Sequence, residues 1–193
     1  MLMQRRHLSE VVISAGRIND DSDMQATHQD AETRYDRLRR QALATVQQIA
    51  PSSIHYGLID ARAQQAAESW RSASDRRVDW DWTNGFKTLK YRHPKRFEVA
   101  VWQTGKLIAL SFGRPTYNGN RLRLDLIEAR PASLGDRDSA FPRIVVAYDV
   151  YARLIGAREI RVMNPINAEV RAYYERLGFE YVRKGNYVHR EIR

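Results

Sequence analysis

The sequence contains no cysteine. Without thiols a chain has no disulfides, no thiolate metal ligands and no cysteine nucleophile, so these three kinds of chemistry are excluded. Its apolar runs are all much shorter than the roughly 18–20 residues that a membrane-spanning helix needs. We therefore expect neither a secretion signal nor a membrane anchor, and these absences favour a cytoplasmic protein.

The chain also lacks the residue patterns of two large classes of hydrolase. Its five histidines show no metal-ligand spacing, and no serine lies in the pattern of a nucleophile elbow. A zinc enzyme and a serine hydrolase are therefore disfavoured, and we expect no bound metal.

The charge is strongly basic and unevenly distributed. The formal net charge is +9; residues 1–50 carry 7 basic and 7 acidic side chains, and residues 51–193 carry 25 basic against 16 acidic. A basic domain attracts nucleic acid, but it attracts a polyphosphate cofactor equally well. Charge alone does not distinguish a site for either of these partners from an ordinary solvent-exposed surface rich in arginine.

Apolar residues make up 43% of the chain, which is enough to bury a core. Residues 1–30 lack periodicity and are predicted to be a loosely structured tail. From Asp30 onward, apolar residues recur at steps of three and four, which predicts an amphipathic helix that Pro51 ends. The sequence thus predicts an extension over residues 1–50 and one domain over residues 51–193.

The pattern within residues 51–193 predicts a mixed α/β domain. Aromatic and basic residues fill 74–96, which we expect to be an irregular or short helical insert, with turns at Asn84-Gly85 and His93-Pro94. The predicted strands are 54–59, 97–102, 107–112, 121–129, 158–163, 179–183 and 187–192, and the predicted helices are 61–73, 140–155 and 167–177. Helices between the last strands imply crossovers and some parallel pairing.

One helix carries a more specific signal. Asn167 opens it, Tyr174 follows seven positions later, and Gly178 and Phe179 end it. This spacing resembles the signature of the GNAT N-acetyltransferases, and the resemblance covers residues 51–193. It implies an α/β (α+β) fold in which helices flank a mixed, mostly antiparallel central sheet, here with an N-terminal helical extension.

The same residues also have a purely physical interpretation. Asn167 is a good N-cap and Gly178 a good helix terminator. Tyr174 is either a half-buried aromatic residue that packs on the core or, as the resemblance to the GNAT family implies, the acid that protonates the departing coenzyme A thiolate. Tyr173 is expected to point about 100° away around the helix and to stay outside such a site.

The resemblance further implies acetyl-CoA as acyl donor, bound by a loop whose backbone amides face the pyrophosphate. Arg130 and Gly135 bracket a loop at the corresponding place, but with different spacing, and Asp136 and Asp138 add negative charge there. In some relatives a carboxylate at the position of Glu128 is the general base. The implied cofactor contacts are Leu126, Ile127, Arg130, Gly135, Arg137, Arg143 and Asn167.

Two functions remain open at this stage. The first is an N-acetyltransferase whose amine acceptor lies against the insert, with Trp80, Trp82, Phe86 and Tyr91 as substrate contacts. The second is a GNAT-like module without activity that binds nucleic acid or a protein through its basic face. An acceptor carried on RNA and a homodimer are compatible with the resemblance, and no residue selects either of them.

Overall fold

The computed structural model describes residues 20–135 and 140–192, with side chains from residue 27 onward. The helices are α1 (Asp20–Ile49), α2 (Ala61–Glu68), α3 (Asn84–Arg92), α4 (Ala140–Leu154) and α5 (Ala168–Arg176). The strands are β1 (Ile54–Gly57), β2 (Phe97–Gln103), β3 (Lys106–Pro115), β4 (Arg121–Ala129), β5 (Glu159–Met163), β6 (Glu180–Val182) and β7 (Tyr187–Glu191). No helix in this part of the chain is long and apolar enough to cross a membrane.

The seven strands form one sheet in the order β1-β2-β3-β4-β5-β7-β6. Neighbouring strands are antiparallel except β4 and β5, which are parallel because α4 connects them. The predicted mixed, mostly antiparallel sheet with flanking helices is therefore confirmed.

Apolar side chains from the two faces of the sheet form two clusters. The larger lies under α1, α4 and α5, and the smaller lies under α2, α3 and the segment between them. In the smaller cluster Trp70, Trp82 and Phe86 pack against inward-facing residues of β2 and β3. The face of the sheet near β4, β5 and β7 that lies opposite α4 carries charged side chains instead.

Buried charges attach α1 to the sheet. Arg39, which is fully buried, donates to the carboxylate of Glu32 at 2.6 Å and to the carbonyl oxygen of Pro94 at 3.0 Å. Arg96 donates to the other Glu32 oxygen at 2.6 Å, and its Nε lies 3.1 Å from Glu98. Removing one member of such a buried set leaves the others uncompensated, so these residues fix where α1 lies.

Gly113 allows β3 and β4 to approach closely beside α4. A Cβ atom at this position would lie 2.0 Å from the carbonyl oxygen of Arg123 and 2.8 Å from the Tyr148 ring. Both neighbours are inside the sheet or the core and have no room to move. Only glycine fits at this point of the sheet.

The largest differences from the predicted boundaries concern three helices. The first helix begins at Asp20 rather than Asp30, because helix formation is cooperative and extends outward from a packed segment. Helix α2 ends at Glu68, since tight turns follow it and bury Trp70. Residues 84 and 85, predicted as a turn, begin α3, where the Asp81 side chain accepts from the free amides of the first turn. The predicted tail before residue 20 lies outside the described residues.

Candidate active site

A cavity of about 950 Å³ opens where β4 and β5 part. The two strands pair only over residues 121–124 and 159–162, although β4 continues to Ala129. The edge of β4 beyond Leu124 therefore has no partner in β5, and the cavity lies against this edge. Its volume falls within the roughly 300–1,000 Å³ of small-ligand sites.

A bulge in β4 accounts for the parting of the strands. Phe112 of β3 lies opposite Leu126 and Gly113 lies opposite Leu124, so Asp125 is an extra residue without its own partner. A bulge bends its strand and increases the local twist. The bend comes where the pairing with β5 ends, and it turns the last residues of β4 away from β5.

Tyr174 on α5 forms part of the cavity wall. Its ring lies 4.4 Å from that of Phe141, centroid to centroid, and only 6% of the residue is exposed. Burial raises the pKa of Tyr174, so its hydroxyl is protonated at neutral pH. Within residues 20–135 and 140–192 no hydrogen bond to this hydroxyl is found. Its proton is available to a bound molecule.

Tyr173 also lines the cavity, which corrects the expectation that it points away from the site. Its ring centroid lies 5.7 Å from that of Tyr174. The helical rotation between successive residues is as expected, but the cavity wraps around this part of α5 and reaches both side chains. Tyr173 and Tyr174 therefore both lie in the cavity wall.

Glu128 lines the cavity, and its carboxylate is already engaged. Arg76 donates to both oxygens, at 2.6 and 3.1 Å, and the indole Nε1 of Trp82 donates to one of them at 2.6 Å. The Arg76 guanidinium also donates to the carbonyl oxygen of Trp80 at 2.9 Å. This buried carboxylate fixes the insert against β4, and the geometry does not favour it as the general base that the resemblance implied.

Of the four aromatic residues predicted to contact substrate, one lines the cavity and three do not. Trp80 lines the cavity, and its indole donates to the carbonyl oxygen of Ile127 on the unpaired edge of β4 at 3.3 Å. Trp82 and Phe86 are buried in the smaller core cluster, outside the cavity lining. Tyr91 is 73% exposed on α3 and also lies outside the lining. The substrate-contact prediction is corrected for these last three residues.

His93 is a cavity residue that the sequence indicated only as part of a turn. It ends α3, and its ring nitrogens lie 3.3 and 3.4 Å from a guanidinium nitrogen of Arg114. Burial, and then the positive charge of Arg114, lower the pKa of His93. The imidazole is therefore neutral at pH 7 and able to accept a proton. No sequence pattern joins His93 to β3 and β4, so only the fold shows this position.

Known proteins are similar to this chain in structure but not in sequence. No protein-family model matches the sequence, and no curated protein is similar to it in sequence. A GNAT-family protein of known structure from Desulfovibrio desulfuricans aligns with 72% of this chain and 99% of its own, at a TM-score of 0.56 and 12% identity. The chain has the GNAT fold.

Two further GNAT structures agree with this result. A spermidine N-acetyltransferase from Vibrio cholerae aligns with 73% of this chain and 95% of its own, at a TM-score of 0.51 and 14% identity. An aminoglycoside 6'-acetyltransferase type Ii aligns with 72% of this chain and 97% of its own, at a TM-score of 0.52 and 14% identity. At these identities the similarity concerns the GNAT fold alone.

Some of the predicted cofactor residues line the cavity of this GNAT fold, and others lie outside its lining. Leu126 and Ile127 line the cavity on β4, and the first residues of α4, Ala140 and Phe141, line it from the other side. Arg130 lies beside Gly135: a Cβ atom on the glycine would be 3.6 Å from the arginine Nη1. Neither residue lines the cavity among those the structure describes.

Arg143 lies in the first turn of α4, and its Nε is buried with no partner among the described residues. Arg137 lies outside the described residues, as do Asp136 and Asp138. Asn167 lies outside the cavity lining, and its side chain accepts from the amide of Val170 at 2.8 Å. It is the N-cap of α5, which gives it a structural role, and its cofactor contact stays a prediction.

The buried ion pair between Arg76 and Glu128 generates a stability prediction for this domain. Arg76→Met keeps the aliphatic stem and leaves Glu128 buried without its cation. We expect the free energy of unfolding, measured by urea denaturation, to fall by about 3–5 kcal/mol. The control is Arg40→Met, which removes an exposed pair with Asp36 and is expected to cost at most about 1 kcal/mol. Equal losses in the two variants would contradict the structural role of Glu128.

Proposed function

We propose that the protein is an acyl-CoA-dependent N-acetyltransferase that transfers the acetyl group of acetyl-CoA to an amine. The observation that carries this proposal is the position of Tyr174 in the wall of the cavity between the parted strands, with a protonated hydroxyl that has no hydrogen-bond partner among the described residues. The similar structures named for spermidine and aminoglycoside acetylation support the reaction type. A cytoplasmic location stays a prediction.

The described residues fit such a donor. Leu126 and Ile127 line the cavity on the stretch of β4 that has no partner in β5, where a backbone amide can bind an extended chain that enters the cavity; the Ile127 carbonyl already accepts from Trp80. The start of α4 lies at the other side, and the first amides of a helix attract anions such as a pyrophosphate. Arg143 lies in the first turn of this helix, and its buried Nε has no hydrogen-bond partner among the described residues. We propose Arg130 and Arg137 as further phosphate contacts from the preceding loop.

The thioester supplies the activated acetyl group. As the amine nitrogen bonds to the acetyl carbon, the carbon–sulfur bond breaks and the sulfur leaves with the electron pair. Tyr174 donates its proton to that sulfur, and His93 accepts the proton that the amine nitrogen loses. Both side chains line the same cavity. Glu128 keeps the Arg76 segment and Trp80 in place beside the acceptor.

The first test is donor binding. A ligand present at about 100 times its dissociation constant adds roughly 2.7 kcal/mol to the stability of a folded protein. We expect millimolar acetyl-CoA to raise the melting temperature measurably in differential scanning fluorimetry, with acetate and free adenosine as controls. No shift would favour the alternative of a binding module without activity.

The second test concerns the acid. Tyr174→Phe keeps the ring and its packing and deletes the one hydroxyl. Because proton transfer of this kind contributes about 10²–10⁴-fold, we expect kcat to fall by that factor while the Kd for acetyl-CoA and the melting temperature change little. Tyr181→Phe is the matched control, since Tyr181 bonds Asn186 outside the cavity. Full activity in Tyr174→Phe would make Tyr174 a packing residue.

The third test concerns the base and its pH dependence. A base acts when deprotonated, and the pKa of His93 is lowered, so we expect kcat to hold down to a pH below the usual histidine value of about 6.5 and then to fall. His93→Gln should lower kcat by about 10²–10⁴-fold and remove that acidic limb. His55→Gln, at the exposed position of β1, is the control. An unchanged pH profile in His93→Gln would exclude His93 as the base.

A further inference from the structure

The end of α3 and the residues after it, 90–96, form a turn that carries His93, and we call this segment the His93 turn. The last carbonyl groups of an α-helix have no partner within the helix. Here the carbonyl oxygen of Lys90 accepts from Arg96 Nη1 at 3.0 Å. His93 donates its backbone amide to the carbonyl oxygen of Leu89 at 3.1 Å, and its own carbonyl oxygen accepts from the amide of Arg96 at 3.0 Å. Both backbone groups of His93 are therefore fixed.

Helix α1 supplies the partners that hold this turn. Arg96 is only 1% exposed, and both of its terminal nitrogens donate to the carboxylate of Glu32, at 2.6 and 2.8 Å. Arg39 donates to the same carboxylate at 2.6 Å and to the carbonyl oxygen of Pro94 at 3.0 Å. Hydrogen bonds between charged groups are stronger than those between neutral ones. Glu32 thus joins two buried arginines, one on α1 and one at the end of the turn.

Two further contacts hold the His93 turn. On α1, the ring Nε2 of His28 lies 2.6 Å from the carbonyl oxygen of Tyr91. On α4, the hydroxyl of Tyr151 donates to the carbonyl oxygen of Lys95 at 3.0 Å. Connecting segments are usually the more mobile parts of a fold. In this one, carbonyl groups along the whole turn accept from α1, from α4 or from the turn itself.

The position of the His93 ring depends on this support. A base must come within hydrogen-bond reach of the proton that it removes, and a displacement of about 1 Å in a supporting part of an enzyme can lower the rate 10²-fold. Leu89 and His93 line the cavity, whereas Glu32 and Arg39 do not. The two α1 residues therefore act on the cavity only through the turn.

We propose that α1 positions the base, and that Glu32 and Arg39 do so by holding the His93 turn against the cavity. The inference rests on the proposed acetyltransferase function and adds two positioning residues to it. It also gives the N-terminal extension, which the sequence left without a role, a part in forming the acceptor side of the cavity.

The test measures the pKa of His93 by NMR, which requires no turnover. The chain has five histidines, and the signal of His93 is the one that His93→Gln removes. Burial has the largest effect on this pKa, and the charged groups that follow all lie outside α1: Arg114, Asp125, Arg92 and Arg123. A changed pKa in an α1 variant therefore reports a moved ring. In Glu32→Gln we expect the pKa to rise toward the usual value of about 6.5, because a displaced ring is more exposed to water.

Gln47→Ala is the matched control. Gln47 also attaches α1 to the sheet, but at the other end of the helix: it donates to the carbonyl oxygen of Ile54 and accepts from the amide of Tyr56, each at 2.9 Å. This variant should leave the pKa of His93 unchanged. With acetyl-CoA and ethanolamine as a minimal acceptor, we expect kcat to fall about 10- to 100-fold in Glu32→Gln and to stay the same in Gln47→Ala, with the KM for acetyl-CoA unchanged in both.

Melting temperatures show whether each variant is folded. Should Glu32→Gln not fold, His28→Ala removes only the exposed contact with Tyr91 and should raise the pKa of His93 by a smaller amount. An unchanged pKa in the folded α1 variant, or an equal rise in Gln47→Ala, would overturn the proposal. If the unaltered protein acetylates no amine, the proposed function fails by itself, and a pKa that rises in Glu32→Gln but not in Gln47→Ala still supports the positioning of His93 by α1.

Discussion

The parallel pairing of β4 with β5 is short, and the candidate site depends on where it stops. Four residue pairs join the strands, and the bulge at Asp125 then bends β4 away. The parting leaves backbone groups on the edge of β4 without a strand partner and opens a cavity that reaches from the start of α4 to the acceptor side. If the pairing continued to Ala129, the cavity would close and Tyr174 would be an ordinary core residue.

Buried charged residues hold the segments around this opening in place, whereas the proposed proton transfers use uncharged side chains. Glu128 binds Arg76 and Trp82 and so fixes the insert, while Arg39 and Arg96 fix α1 to the sheet through Glu32 and Glu98. Breaking such pairs costs several kcal/mol because a partner is left buried without compensation. The proposed acid and base, Tyr174 and His93, are both uncharged at pH 7 because burial disfavours their ionised forms.

Helix α5 shows how one short motif combines structural and chemical roles. Asn167 caps the helix and Gly178, with a positive φ of 82°, ends it, so both residues set its length and position. That position brings Tyr174 against Phe141 of α4 and into the cavity wall. The motif spacing that resembled the GNAT family is therefore explained by helix geometry, and of its four residues, Asn167, Tyr174, Gly178 and Phe179, only Tyr174 lines the cavity.

Local patterns in the sequence determined most strands and helices of the sheet and the cap at Asn167, because periodicity and end signals act over a few residues. The GNAT fold was implied by the resemblance of the spacing around Asn167 and Tyr174. These local patterns did not determine which aromatic residue of the insert faces the cavity. Nothing in the local sequence distinguishes Trp80 from Trp82 and Phe86, but Trp82 and Phe86 pack on β2 and β3 while Trp80 lines the cavity. Tertiary structure also decided that Glu128 meets Arg76, 52 residues away, and that Arg114, Arg123 and Arg161 align. These contacts depend on strand register and on a one-residue bulge, which no local pattern specifies.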